Sequence, residues 1–151
     1  GTLYTPQIVG FGEAVRIAVS EMEREGERIG GLRNHLWNQL SDLPGIHLNG
    51  HATQRLPNNL NVSIEGVKGS ALLAELRGAI ALSSGSACSS ANTTPSHVIK
   101  ALGRDDDLAR ATLRFGLGRS TNPAEIDQSG MLVCETLKML RGERYEPTLV
   151  E

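Results

Sequence analysis

A cysteine in an unusual setting is the residue of this chain best suited to chemistry. Cys88 lies in the run Ser83-Ser-Gly-Ser-Ala-Cys-Ser-Ser-Ala91, in which every neighbour is small or polar. A cysteine that serves packing lies among large apolar side chains, because free cysteine behaves as a small, buried hydrophobe. A segment rich in serine and glycine instead predicts an exposed loop, from which a thiolate can reach another molecule. We therefore expect Cys88 to be a nucleophile; the alternative that these residues leave open is an incidental surface thiol.

An arginine inside a predicted strand is the second candidate. Arg114 lies in the stretch from Ala111 to Gly116. A planar guanidinium forms two directional hydrogen bonds with a carboxylate, so Arg114 is a candidate for binding an acidic substrate group. By spacing alone, a structural ion pair with an Asp or Glu is the simpler interpretation.

Two further residues are expected to be structural: Cys134 as a core or half-buried cysteine, and Arg119 as a structural or dimer-contact arginine.

The histidines and the acidic cluster do not predict a metal site. His35, His47, His51 and His97 have no ligand spacing with a second His or Cys, so a zinc site is not expected. The run Asp105-Asp-Asp107 lacks the remaining ligands of a calcium loop and predicts a solvated turn or a helix start. We therefore expect no resident metal.

Composition limits the class of protein. The 151 residues are 39% hydrophobic but only 3% aromatic, which predicts one domain with an aliphatic core. A net charge of −2 without a basic block argues against direct nucleic-acid binding. No apolar run approaches the ~20 residues of a membrane span, and the two cysteines do not form a disulfide framework. We therefore expect a cytoplasmic protein in a reducing compartment, with no membrane association.

The elements that must position these residues follow from periodicity and capping signals. Apolar residues at helical spacing predict one long helix, or two in series divided at Gly30-Gly31, from Pro6 to about Leu43. Short alternating or apolar runs predict strands over 46–48, 60–64, 79–82 and 111–116. Further helices are predicted over 68–77, from Thr94-Pro95 to Gly103, and from the cap Asn122-Pro-Ala-Glu125 to about 141, followed by a polar tail. The pattern predicts an α+β layer of helices on a short, mostly antiparallel sheet.

Five collinear motifs together resemble one family. They are the Gly1-Thr2…Pro6-Gln-Ile-Val-Gly10 segment, Leu56-Pro-Asn-Asn-Leu-Asn-Val-Ser63, Ser83-Ser-Gly-Ser-Ala-Cys88, Thr94-Pro-Ser-His-Val98…Ala101-Leu-Gly103, and Leu113-Arg-Phe-Gly-Leu-Gly-Arg119. In this order and spacing the chain resembles the C-terminal part of the class V, pyridoxal-phosphate-dependent cysteine desulfurases of the NifS/IscS type. The resemblance implies the small C-terminal domain of the fold-type I transferase architecture. It divides the chain into a linking helical segment (1–43), a small domain (44–141) and a tail (142–151).

The resemblance also implies a reaction and a role for each site residue. L-cysteine would be converted to L-alanine while its sulfur passes to Cys88 as a persulfide, which in turn could transiently ligate an iron–sulfur cluster. Arg114 would bind the substrate carboxylate, and the Thr2 hydroxyl would reach the cofactor phosphate of a partner subunit. The implied partners are L-cysteine, a second copy of the chain, and a sulfur acceptor or iron–sulfur scaffold protein.

The lysines depart from the family pattern. None of Lys68, Lys100 and Lys138 follows a histidine as the family's cofactor lysine does, and the large domain that carries that lysine is absent from these residues. The chain alone is therefore expected to be inactive, with pyridoxal phosphate bound mainly by the absent domain. Two alternatives stay open: a non-enzymatic persulfide carrier or interaction domain, and a related selenocysteine lyase. The sequence does not name the sulfur acceptor.

Overall fold

The computed structural model describes residues 1–84 and 94–142, which form an α+β layer. The elements are α1 (Thr5–Ser41), β1 (Ile46–Leu48), β2 (Asn59–Ile64), α2 (Gly69–Leu76), β3 (Ser83–Ser84), α3 (His97–Ala101), α4 (Asp106–Arg110), β4 (Thr112–Gly116) and α5 (Pro123–Arg141). The strands form one sheet in the order β1-β2-β4-β3, and each described pairing is antiparallel. The predicted fold class is confirmed.

The sheet separates an aliphatic face from a polar face. Leu60, Val62 and Ile64 alternate along β2 and are at most 1% exposed. Leu113 and Phe115 of β4 lie opposite Val62 and Leu60, so both strands present apolar residues on the same side. Buried leucine and valine residues of α1, α2 and α5 close over this face: Leu36, Leu40, Leu72, Leu76, Val133 and Leu137. The core is aliphatic, as the composition predicts.

Helix α1 is continuous through its glycine pair. The alternative of two helices in series is wrong, because Gly30 and Gly31 both lie within the single helix Thr5–Ser41. A glycine in a helix interior costs about 1 kcal/mol relative to alanine, and packing of the flanking Ile29 and Leu32 against the core offsets that cost. Large apolar residues in the first half of α1 are exposed, as Ile8 and Phe11 illustrate. None of the described helices is long and apolar enough to span a bilayer.

The predicted strand at 79–82 is wrong, because helix α2 uses the backbone groups that a strand would need. The amides of Ala79 and Ile80 both donate to the Leu76 carbonyl, and Gly78 turns the chain with φ +86°. Neither amide is therefore free to pair with β4, and pairing begins only at Ser83.

The helix predicted from Thr94-Pro95 begins later than expected. Ser96 has an extended backbone (ψ 121°), so α3 begins at His97. Its predicted end is confirmed, since Gly103 takes φ +86°. The acidic cluster lies at a helix start, one of the two predicted alternatives. The Asp105 carboxylate accepts a hydrogen bond from the Leu108 backbone amide at the beginning of α4.

Helix α5 begins with the capping box that the sequence predicts. The Asn122 side chain accepts a hydrogen bond from the backbone amide of Glu125, and the Glu125 carboxylate accepts one from the backbone amide of Asn122. Gly142, with φ +70°, caps its other end. The tail beyond Gly142 lies outside the described residues.

Two glycines give a stability test of this packing. A Cβ at Gly69 would collide with the Arg110 carbonyl oxygen, whereas a Cβ at Gly31 would meet no atom within 4 Å. We expect Gly69→Ala to lower the free energy of unfolding by about 1–3 kcal/mol, since backbone atoms must move. The matched change Gly31→Ala should raise it by up to about 1 kcal/mol. Urea denaturation measures both, and an unchanged midpoint for Gly69→Ala would contradict the close approach of α2 to α4.

Candidate functional site

Arg114 lies on the polar face of the sheet, which we define by Asn61, Ser63, Ser83, Thr112 and Arg114. Side chains directly opposite one another in a sheet share a face, and alternate residues of one strand take opposite faces. Arg114 is paired with Asn61 in β2 and with Ser83 in β3. Its guanidinium is therefore on the side of the sheet away from the core.

The guanidinium of Arg114 has a hydroxyl partner but no described carboxylate partner. Its Nε–H donates to Ser83 Oγ at 3.1 Å, and the side chain is half-buried. Within residues 1–84 and 94–142, no Asp or Glu oxygen lies within 4.0 Å of it. The structural ion pair that spacing alone favoured thus has no partner in the described part of the chain. A partly desolvated guanidinium of this kind can donate hydrogen bonds to the carboxylate of a bound molecule.

A buried hydrogen-bond network holds the strands beside Arg114 in place. Asn49 Nδ2 donates to Asn61 Oδ1 and to Ser63 Oγ, both at 2.8 Å. The hydroxyls of Ser63 and Thr112 lie 3.0 Å apart, and Thr112 Oγ1 also donates to the Leu108 carbonyl at 2.9 Å. A fully satisfied buried polar network makes its strands rigid.

Arg104 completes this network from outside the sheet. Its Nε–H donates to Asn49 Oδ1 at 3.0 Å, and its Nη2 donates to the Leu48 carbonyl at 2.9 Å. Sequence reasoning missed these supporting residues. The available signal was that polar residues of β2 alternate with its core residues, which places Asn61 and Ser63 on one face.

A clasp formed by Arg28 connects α1 to the loop that follows β4. Its Nη1 donates to the Thr121 carbonyl at 2.8 Å, and its Nη2 donates to the carbonyls of Arg119 at 2.9 Å and Gly118 at 3.3 Å. Glu25 accepts from the same guanidinium at 2.9 Å, and this hydrogen bond lowers the pKa of Glu25 below its usual value. Arg119 forms an ion pair with Glu21 of α1 at 2.6 Å, which agrees with its predicted structural role.

Of the remaining site predictions, only Thr2 lies within the described residues, and no described contact joins it to Arg114. Thr2 is exposed and precedes α1, whereas the buried residues of that helix, Leu36 and Leu40, lie near its other end. Cys88 lies outside the described residues. Its segment follows directly from β3, whose last residue Ser84 precedes Cys88 by four positions in the sequence.

Cys134 does not have the properties of a nucleophile. Its side chain is half-buried against the core, as predicted, and its Sγ lies 3.9 Å from the Gln39 carbonyl oxygen. Burial raises the pKa of this thiol, which lowers the fraction of thiolate at neutral pH. Among the described residues, Cys134 is therefore a structural cysteine.

The described residues do not fit a complete pyridoxal phosphate site. Lys68, Lys100 and Lys138 are all exposed, and Lys100 is occupied by an ion pair with Asp106 at 2.7 Å. The described ranges likewise contain no cluster of three or more His, Cys, Asp or Glu residues able to hold a metal ion.

Comparisons with known proteins show which family this chain resembles. A family model described as "Aminotransferase class-V" matches residues 1–128. The "Cysteine desulfurase IscS" of Azotobacter vinelandii is 50% identical over 141 residues, which cover 93% of this chain and 35% of the relative. The chain thus spans about a third of the length of that curated relative.

Solved structures support the same fold. A structure titled "NIFS-LIKE PROTEIN" is 30% identical with a TM-score of 0.78, and the match covers 93% of this chain and 35% of the other. A NifS-like protein from Rickettsia africae ESF-5 has a TM-score of 0.79 at 23% identity, covers 91% of this chain and 36% of the other, and supports the fold alone.

The Arg28 clasp predicts a pH-dependent contribution to stability. We expect Arg28→Ala to lower the thermal unfolding midpoint at pH 7 more than Arg24→Ala, because Arg24 makes only an exposed 3.7 Å ion pair with Glu21. The folded pKa of Glu25 is depressed, so its contribution is present above the ordinary value of 4.5 and is lost as pH falls below it. The difference between wild type and Arg28→Ala should therefore shrink between pH 7 and pH 3. Equal midpoints for the two variants at pH 7 would contradict the clasp.

Proposed function

We propose a function for this chain, which belongs to the aminotransferase class-V family. It is the part of a cysteine desulfurase that carries the sulfur-accepting thiol and binds the substrate carboxylate. The relative at 50% identity bears the name cysteine desulfurase, and the similarity extends over 93% of this chain. The observation that carries the proposal is the half-buried Arg114, which has no described carboxylate partner and lies beside the strand that leads to Cys88.

In the proposed reaction, sulfur moves from L-cysteine to Cys88. The C–S bond of the substrate breaks, its β-carbon gains a proton and the product is L-alanine. A new S–S bond forms between that sulfur and the Cys88 sulfur, so each of the two sulfurs is oxidised by one electron while the β-carbon is reduced by two. The attacking species must be a thiolate, and a segment of serine, glycine and alanine offers little steric hindrance to it.

Arg114 has the role of binding and orienting the substrate. Two N–H groups of a guanidinium match the two oxygens of a carboxylate, which fixes the direction of the amino acid as well as its affinity. The polar network behind Arg114 supports this role, because a rigid strand keeps the cation in one place.

The rest of the complete protein supplies what these residues lack. The family is pyridoxal-phosphate-dependent, and we place the cofactor lysine in the part of the protein outside this chain. Residues 1–43 then form the linking helical segment, 44–141 the small domain and 142–151 a tail. Thr2 is proposed to contact the cofactor phosphate of a second subunit in a homodimer.

The destination of the sulfur follows from the chemistry of a persulfide. A persulfide on Cys88 can pass its outer sulfur to an acceptor thiolate, or it can transiently ligate an iron–sulfur cluster on a scaffold protein. Both uses require reduced thiols, which supports a cytoplasmic location.

A second candidate is a persulfide carrier without catalytic activity, which the exposed positions of all three lysines favour. Absorbance of the complete protein in the cofactor band separates the two functions. A yellow protein that releases alanine from L-cysteine supports the desulfurase. A colourless protein that accepts sulfur from another desulfurase supports the carrier.

Cys88→Ala in the complete enzyme tests the sulfur-accepting role. We expect sulfur transfer to fall by roughly 1,000-fold or more, because the attacking atom is removed. Mass spectrometry after incubation with L-cysteine should detect the gain of one sulfur atom on wild type and none on the variant. Cys134→Ala is the matched control and should retain activity. Sulfur transfer by Cys88→Ala at the wild-type rate would refute the assignment.

Arg114→Ala tests the carboxylate-binding role. We expect the KM for L-cysteine to rise about 30- to 1,000-fold, since charged hydrogen bonds of about 2–4 kcal/mol in total are lost. Cofactor content, measured by absorbance, should not change. The exposed Arg77 supplies the control variant Arg77→Ala, for which KM should equal that of wild type. A parallel loss of cofactor and substrate binding in Arg114→Ala would argue against this role.

A further inference from the structure

We infer that Ser83 is a positioning residue for substrate binding: its hydroxyl holds the Arg114 guanidinium in the orientation that receives the substrate carboxylate through the two terminal amino groups. This inference rests on the proposed function, because it assigns to Ser83 an effect that acts through Arg114. Ser83 is part of the motif that contains Cys88, but the sequence alone assigns no role to it.

The contact is built on backbone pairing. Ser83 and Arg114 are direct partners in the antiparallel pairing of β3 with β4, so their side chains leave the sheet on the same face. Ser83 Oγ accepts the Nε–H of Arg114 at 3.1 Å, and both side chains are half-buried. The hydroxyl is thus held beside the guanidinium by the strand pairing as well as by its own hydrogen bond.

The hydrogen bond selects one binding mode of the guanidinium. A carboxylate can bind an arginine across Nε and one terminal nitrogen, or across the two terminal nitrogens. Ser83 occupies Nε–H, which leaves Nη1 and Nη2 without a partner among the described residues. The carboxylate is therefore directed to the end of the guanidinium.

The same contact reduces the entropic cost of binding. A long arginine side chain loses rotamer freedom when it is ordered, and that loss weakens binding if it occurs only when the substrate arrives. Because Ser83 orders Arg114 within the folded strand pair, the loss occurs on folding. The consequence is a higher affinity for carboxylate-bearing ligands and no effect on ligands without a carboxylate.

The neighbouring serine is a matched control. Ser84 lies in the same two-residue strand but is paired with Leu113, whose side chain is buried in the core. Alternation along the strand therefore places Ser84 on the face opposite Arg114. Removing its hydroxyl leaves the Arg114 contact intact.

The experiment measures ligand affinity in the complete, cofactor-loaded enzyme by isothermal titration calorimetry. The probes are L-alanine, which has a carboxylate, and cysteamine, which has none. We expect Ser83→Ala to weaken L-alanine binding about 3- to 10-fold, as for one net hydrogen bond, and to raise the KM for L-cysteine equally. Cysteamine affinity and kcat at saturating L-cysteine should stay within twofold of wild type, and Ser84→Ala should match wild type throughout.

A second pair of variants distinguishes the loss of the Ser83 hydroxyl from a general disruption of the fold. Thr and Val have nearly the same shape, and both suit a strand. Ser83→Thr keeps the hydroxyl and should bind L-alanine like wild type, whereas Ser83→Val should match Ser83→Ala. Equal affinity of the Thr and Val variants for L-alanine would overturn the inference even if Ser83→Ala failed to fold. A loss of cysteamine affinity equal to that of L-alanine would also overturn it, since it would indicate a general structural effect.

Arg114→Ala distinguishes a failure of this inference from a failure of the proposed function. If Arg114→Ala loses L-alanine affinity while Ser83→Ala does not, Ser83 has no positioning role but Arg114 keeps its own. If Arg114→Ala binds L-alanine as wild type does, the proposed function of Arg114 fails and the role of Ser83 fails with it.

Discussion

The register of β4 between its two neighbours is the constraint on which the rest of the structure depends. Pairing Leu113 with Val62 and Phe115 with Leu60 places both apolar residues in the core. The same register places Arg114 on the other face, beside Ser83 of β3. A slip of one residue would bury the guanidinium among aliphatic side chains and expose Leu113, so core packing enforces the alignment that places Arg114 on the polar face.

Two polar systems make this arrangement rigid from different sides. On the sheet, Asn49 and Arg104 join the hydroxyls of β2 and β4 into one satisfied network. At the end of β4, the Arg28 clasp connects the following loop to α1. Both systems include hydrogen bonds between residues far apart in sequence, such as Asn49 with Arg104 and Arg28 with Thr121, so they depend on the folded arrangement of the elements. The arginine on the polar face is therefore held by the tertiary structure as a whole.

The proposed function divides one site between this chain and the rest of a longer protein. It spans 35% of the length of the desulfurase to which it is 50% identical. Its described lysines are exposed, whereas its Arg114 is half-buried and lacks a described carboxylate partner. A site shared between two parts of a protein requires each part to present its groups at a common boundary. The proposed role of Ser83 is one way in which the smaller part prepares its own group before the substrate binds.

The sequence by itself determined the long helix, three of the four described strands and the capped α5, because periodicity, turn residues and the Asn122–Glu125 box are local signals. It also predicts Cys88 and Arg114 as site residues, from the composition of one segment and from a cation within a strand, and these roles stay predictions. The prediction failed at residues 79–82 because the amides of Ala79 and Ile80 donate to the Leu76 carbonyl at the end of α2, and an apolar run does not show whether its amides continue a helix end or pair in a sheet. The tertiary structure alone decided that Arg114 lies against Ser83, since that contact depends on the register of two strands and joins residues 31 positions apart, which no local pattern encodes.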